Sequence, residues 1–299
     1  MPSGRSYLLQ ATGMSPAPST KRVSLQSRTK LELALQCWSG AAVLAIGLSM
    51  LAGAEPIAVR HREGTLHGFL ALTTEQGQVV AWGDLIEIVR GDRVTSHLTF
   101  HFKDGSIDDE STVYTQQGFF RLISDRHIQK GPYFPHPLDM TIDVAKGIVV
   151  TRSPGKNGKD EAATDRIKMP KDLYNGLVTP VIKNVNPDAG ETKVSMIVAA
   201  PKPRLVTLAI LPQAPETFYL AGFPRKASVY QIKIELGGIA GVIAPVIGKQ
   251  PPDIYLSIES GQVPAFLRET GPLFEGGPVL TITVIGPTWS AASRERSAK

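Results

Sequence analysis

Between residues 65 and 168 the chain repeats one pattern: a run of β-branched and aromatic residues, then a short turn containing glycine. The runs are TLHGFLALTT, QVVAWGDLIEIV, RVTSHLTFHF, SIDDESTVYT, FFRLISDRHI and GIVVTRS. The punctuation is EQGQ, RGDR, KDGS, QQG, VAKG and PGKNGK. Gly-Asp and Asp-Gly between such runs are hairpin signals, because tight turns need a positive φ at a central position. Regular recurrence of these turns predicts an antiparallel meander.

The pattern resumes beyond residue 190 with TKVSMIVAA, RLVTLAIL, TFYLAGF, ASVYQIKIEL, DIYLSIES, VPAFLRE and PVLTITVI. Between the two sets, PKDLYNGLVTPVIKNV (170–185) changes period: Leu173, Leu177, Val178, Val181 and Ile182 recur at near-helical spacing. This predicts a short helix, with Asp172 placed to cap it and Pro180 to kink or end it. The expected fold is mainly β: a curved antiparallel sheet, a half-barrel, wrapped around a central short helix, with few other helices. It occupies residues 55–288, as one domain or as two halves, 55–186 and 187–288. A charge-free stretch, LGGIAGVIAPVIG (236–248), reads as a short buried segment, or as the cover of an apolar cavity or a membrane contact. The polar tail 289–299 reads as disordered.

The first 54 residues are a different material. Arg5, Lys21, Arg22, Arg28 and Lys30 precede an uncharged stretch from Leu33 to Ala54 that closes on Ala52-Gly53-Ala54. A basic lead, an apolar core and small residues at −3 and −1 form the pattern of a secretory signal cleaved after Ala54. Uncleaved, the same stretch is long enough to serve as an N-terminal anchor in a membrane. Translation starts at Met1 or at Met14. Removing this segment takes five of 32 basic and one of 27 acidic residues, leaving 27 and 26 in a nearly neutral chain. Nucleic-acid binding calls for a basic footprint, which such a chain lacks. The single cysteine, Cys37, lies in the leader, so the remainder has no disulfide, thiol nucleophile or cysteine-ligated metal.

SHLTFHFKDGSIDDE (96–110) has the look of a metal site, with His97 and His101 four apart and acidic residues following. On a strand those histidines share a face but stand about 13 Å apart, whereas a zinc–nitrogen bond is about 2.1 Å. A two-residue Asp104-Gly105 turn would pair Lys103 with Ser106, His101 with Asp108, Thr99 with Glu110 and His97 with Thr112. His101, Asp108 and Glu110 are then the candidate metal set, against the simpler reading of a solvated polar face. SDRHIQKGPYFPHPLD (124–139) adds Asp125, His127, His136 and Asp139, with Tyr133 and Phe134 between prolines; it reads as a strand running into a rigid linker. The G-x-S-x-G elbow, H-E-x-x-H, the P-loop and the dinucleotide fingerprint are absent after the leader.

Several blocks carry a resemblance: LHGFLAL, GDLIEIVRGDRVTSHLTFHFKDGSIDDE, LISDRHIQKGPYFPHPLD, NGLVTP, GKQPPD and GPLFEGGP. They resemble a group of exported bacterial β-rich proteins of unknown function, over most of the chain after the leader. The resemblance implies no catalytic residues. More distantly the layout is similar to envelope half-barrels, including lipoprotein carriers, a likeness of architecture alone.

The expected function is that of an exported cell-envelope protein, in the periplasm or outside the cell. It is expected to be non-catalytic, to need no cofactor, and to bind an apolar or amphipathic ligand such as a lipid, or an envelope protein. The expected lining is Leu70, Leu72, Leu98, Phe100, Phe102 and Leu177. The alternatives are a metal-dependent hydrolase using the polar residues between His97 and His136, and a purely structural envelope component.

Overall fold

The computed structural model describes residues 56–155, 160–199, 202–220, 222–235 and 252–286. The leader, the run 236–248, the tail 289–299 and most of the PGKNGK turn lie outside the described residues.

Fifteen strands form one antiparallel sheet. The first eight are β1 (Leu66–Thr74), β2 (Val79–Arg90), β3 (Arg93–Phe102), β4 (Ile107–Gln117), β5 (Phe119–Lys130), β6 (Leu138–Asp143), β7 (Ile148–Pro154) and β8 (Asp160–Arg166). The others are β9 (Thr192–Val198), β10 (Arg204–Pro212), β11 (Glu216–Leu220), β12 (Phe223–Glu235), β13 (Ile254–Glu259), β14 (Ala265–Pro272) and β15 (Val279–Ile285). The spatial order is β8-β7-β6-β5-β4-β3-β2-β1-β15-β14-β13-β12-β10-β9, with β11 paired only to β12. The sheet is open, because its terminal strands β8 and β9 do not pair. First and second sequence halves join through the β1–β15 ladder, Phe69 opposite Ile285 and Leu72 opposite Ile282.

Three differences from the sequence reading have local causes. TFYLAGF is not one strand; it turns between Leu220 and Phe223, so β11 and β12 form a hairpin. β6 and β8 are additional strands. The helix is much shorter than 170–185: α1 spans Val178–Ile182, the only helix among the described residues. No helix there is long and apolar enough to cross a membrane.

Pro180 sits inside α1, in its first turn, where its missing N–H has no intrahelical acceptor to lose. Asp172 does not cap the helix. Its carboxylate accepts from Ser195 Oγ at 2.8 Å, and its carbonyl accepts from Ser195 N–H. Asn175 brackets the backbone of Ile197 with two 2.8 Å bonds. Residues 172–175 thus satisfy backbone groups on the free edge of β9, which would otherwise invite foreign strands.

One face of the sheet is covered. Leu177, Val181 and Ile182 are fully buried there, in a cluster with Tyr114, Phe120 and Ile142 from one side and Ile197, Ile210, Ile232 and Leu256 from the other. Each such side chain contributes about 1.5–3 kcal/mol. A second cluster joins Leu72, Phe100, Phe102, Phe134, Leu280 and Ile282.

The hairpin register differs from the expected one by a single residue. The loop has three residues, Lys103–Gly105: Phe102 N–H bonds Ser106 O at 2.9 Å, and Gly105 N–H returns to Phe102 O. Gly105 takes φ +86°, which only glycine adopts cheaply. His101 therefore faces Ile107, Thr99 faces Asp109 and His97 faces Ser111. A slip of one residue moves a whole strand's side chains to the opposite face.

Candidate functional site

The slip sorts the acidic cluster. His97, Thr99 and His101 point to the uncovered face, where His97 Nε2 meets Asp109 Oδ2 at 2.7 Å. Asp108 and Glu110 point to the covered face, opposite Phe100 and Leu98. His101 is thus separated by the sheet from Asp108 and Glu110, with which it was grouped as a metal set. Among the described residues no three histidine or carboxylate side chains gather for one ion.

On the covered face, ladder partners form three cross-strand rows. Glu87, Ser96, Thr112 and Asp125 stand side by side across β2 to β5. Next come Leu98, Glu110, His127, Met140 and Thr151, then Phe100, Asp108, Gln129 and Leu138. A polar patch therefore lies within an apolar surface.

Apart from Asp125, these residues border a cavity of about 1810 Å³. Its wall includes Leu66, Gly68 and Leu70 of β1, Leu98 and Phe100 of β3, Met196 of β9, Ile232 and Ile234 of β12, Phe266 and Glu269 of β14, and Ile282 of β15. Val178 and Thr179 of α1 border it too. Of the six expected lining residues, Leu70, Leu98 and Phe100 reach the cavity. Leu72 and Phe102 are packed into the second cluster, and Leu177 into the first. Phe102 lies under Tyr133 and Phe134, with ring centroids 4.5 and 5.3 Å away, and Phe274 closes over them. The proline-spaced aromatics are thus a packed cap, while His136 and Pro137 beside them border the cavity.

Several ionisable groups on this face are held away from their ordinary protonation. Burial, with the nearby charge of Glu63, raises Glu87 to about 7, against the pull of Lys183 and the Tyr114 hydroxyl. Lys183 Nζ is 2.7 Å from Glu63 Oε2, and both side chains are buried. Burial also raises Asp125 to about 8, with the charge of Glu110 adding to it. Asp125 is 1% exposed; Thr112 Oγ1 donates to its Oδ1 at 2.8 Å, and its Oδ2 has no hydrogen-bond partner. Burial alone would lower His127, but its bond to Asp108 (2.7 Å) and the charges of Glu110, Asp108 and Asp125 raise it to about 9. Glu110 is raised by burial and by the charges of Asp108 and Glu269, and burial alone raises Glu269 to about 7.

Gln129 connects the patch to the far side of the cavity. Its Nε2 donates to Asp108 Oδ2 at 3.1 Å and to the carbonyl of Leu273, just past β14, at 3.0 Å. Sequence reasoning had singled out neither Glu63, Glu87 and Glu269 nor Lys183 and Gln129. A signal was present for Glu87, which alternates with Leu85 and Val89 and so occupies an apolar parity position.

Chemically, the arrangement offers a concave, largely apolar surface with polar groups converging on it, the usual make-up of a ligand site. No protein-family model matches the chain, and neither a curated protein nor a solved structure matches it.

Proposed function

We propose that the chain is an exported cell-envelope protein that holds an apolar or amphipathic ligand in this cavity, without catalysing a reaction on it. The observation that carries the reading is the cavity itself. Its volume of about 1810 Å³ exceeds the roughly 300–1,000 Å³ of ordinary small-molecule pockets, and most of the surface it exposes is apolar. A concavity of that size, partly open to its surroundings, is far larger than the gaps left between packed side chains.

The sheet, on this reading, is a half-barrel around a central helix. Support comes from the Gln129–Leu273 bond: β5 and β14 are six strand steps apart in the sheet order. Along a flat sheet that is roughly 29 Å, yet one hydrogen bond spans it. The leader pattern before residue 55 supports export, to the periplasm or beyond.

Native mass spectrometry of the protein, gently purified from the envelope of its own cells, tests the reading. A small-molecule mass increment that leaves on activation is expected. Bare chain mass, together with no uptake of a fluorescent lipid, overturns it and favours a purely structural role. An envelope protein as partner is a second reading, favoured by Trp82, Ile86 and Ile88, exposed on the uncovered face of β2. Serine at all three positions weakens capture of such a partner while leaving ligand uptake unchanged.

A further inference from the structure

A row of arginines crosses one end of the sheet. Arg90 of β2 faces Arg93 of β3, Arg93 faces Thr115 of β4, and Thr115 faces Arg121 of β5. Their neighbours Val89, Val94, Phe120 and Leu122 pack into the first core cluster, so the row points to the uncovered face. All three arginines are exposed, and from β2 to β5 the row spans about 14 Å. Like charges directly opposite each other weaken a ladder, and among the described residues none of the three has a carboxylate partner. Asp92, in the turn between Arg90 and Arg93, is engaged by Arg62 instead.

Two further observations fall at the same end. Phe119, at the tip of the β4–β5 hairpin, is 42% exposed, with the Arg121 guanidinium 5.9 Å from its ring centroid. The chain also joins the sheet here: Ala58 bridges to Phe119, Val59 N–H bonds Gly118 O at 2.9 Å, and Phe120 N–H bonds Ile57 O at 3.1 Å. Only Glu55 and Pro56 separate that contact from Ala54, where the apolar leader stretch closes. A membrane anchor ending at Ala54 would leave this end of the sheet two residues from the bilayer.

We infer that this end of the sheet docks on an anionic phospholipid surface, with Arg90, Arg93 and Arg121 on lipid phosphates and Phe119 among the headgroups. Guanidinium groups bind phosphate through paired, charge-assisted hydrogen bonds. An aromatic ring suits the layer between headgroups and acyl chains. The charge selects the surface: an anionic bilayer attracts a basic cluster, whereas a zwitterionic one presents phosphates without a net field. Docking needs no ligand in the cavity. Residues 60–64 continue from the same strap and border the cavity, so docking brings the cavity alongside the bilayer.

Arginine footprinting with phenylglyoxal tests this on the protein purified from its own cells, in its natural processed form. Vesicles of phosphatidylcholine with about 30% phosphatidylglycerol are expected to slow labelling of Arg90, Arg93 and Arg121 severalfold. Arg225, exposed on β12 far along the sheet order, should label at an unchanged rate. Protection should vanish on pure phosphatidylcholine and fade as salt rises from about 0.05 to 0.5 M. In R90Q/R93Q, an exposed double change, the docking constant read at Arg121 should drop about 25-fold, each arginine contributing about fivefold. Unslowed labelling on anionic vesicles, equal protection on pure phosphatidylcholine, or an unchanged constant in R90Q/R93Q overturns the docking surface. Protection of the row by an acidic protein but not by vesicles overturns it too, and assigns these arginines to a protein partner.

Discussion

Gly176 is the point at which the segment carrying α1 presses on the sheet, so it offers a sharp perturbation. It takes φ +64°, and a Cβ there would lie 1.9 Å from Thr112 Oγ1 and 2.9 Å from both Thr112 Cβ and Asp125 Oδ1. Gly176→Ala thus meets two penalties. The left-handed backbone costs a non-glycine residue about 1–2 kcal/mol, and forcing a methyl into a filled contact costs about 1–3 kcal/mol. The sum is about 2–5 kcal/mol, or a fall in melting temperature of about 5–20 °C for a chain of this size. Urea unfolding followed by fluorescence reads it. The contact has a signature in a double-mutant cycle: Thr112→Ala removes the nearest atom, so Gly176→Ala should cost at least about 1 kcal/mol less in that background. A cost within 0.5 kcal/mol of zero, or full additivity with Thr112→Ala, would show that the 172–185 segment does not bear on β4 and β5 in this way.

Other perturbations probe the same face. Lys183→Met strands Glu63 without its partner and should cost about 3–5 kcal/mol, most of it recovered by adding Glu63→Gln; chemical denaturation measures both, and a loss under about 1 kcal/mol contradicts the buried pair. Asp125, Glu87 and Glu269 keep their protons to about 8, 7 and 7 when folded but release them near pH 4 when unfolded, so the folded state binds more protons across that window. His127, raised to about 9, adds stability that is complete below its unfolded value near 6.5 and lost as pH climbs through 9. All four act in one direction, and melting temperature should fall from pH 5 to pH 9; a rise would refute the assigned protonation. The lowered carboxyls Asp109 and Asp143 act oppositely, but only below about pH 4. Gly68 borders the cavity, and a Cβ there meets nothing nearer than 3.9 Å. Gly68→Leu should leave the melting temperature within about 3 °C while cutting the amount of bound ligand severalfold.

Most strands were legible because they alternate and end in glycine turns, as β2, β3 and β5 do. β6 was hidden by its neighbours: LDMTID alternates strictly, but the prolines before it drew the reading toward a linker. β8, DEAATDR, carries almost no apolar signal, and pairing with β7 alone defines it. The helix was over-read because Leu173 and Leu177 have helical spacing, yet Leu173 bridges to Ser195 in a strand-like pairing. The site was less legible still. Asp104-Gly105 announces a turn without fixing whether two or three residues form it, and that one residue decides which face Asp108 and Glu110 occupy. Glu269 could not be read at all, since its place on the cavity wall depends on how distant strands meet.

An aliphatic ligand held on the covered face would lie where β3 and β14–β15 border one cavity. Photo-crosslinking with an alkyl amphiphile bearing a diazirine at its tail, followed by peptide mapping, tests this most directly. Adducts are expected on both walls, at Leu98 or Phe100 and at Phe266 or Ile282, competed away by unlabelled ligand. Adducts confined to Trp82, Ile86 and Ile88 on the uncovered face would contradict it.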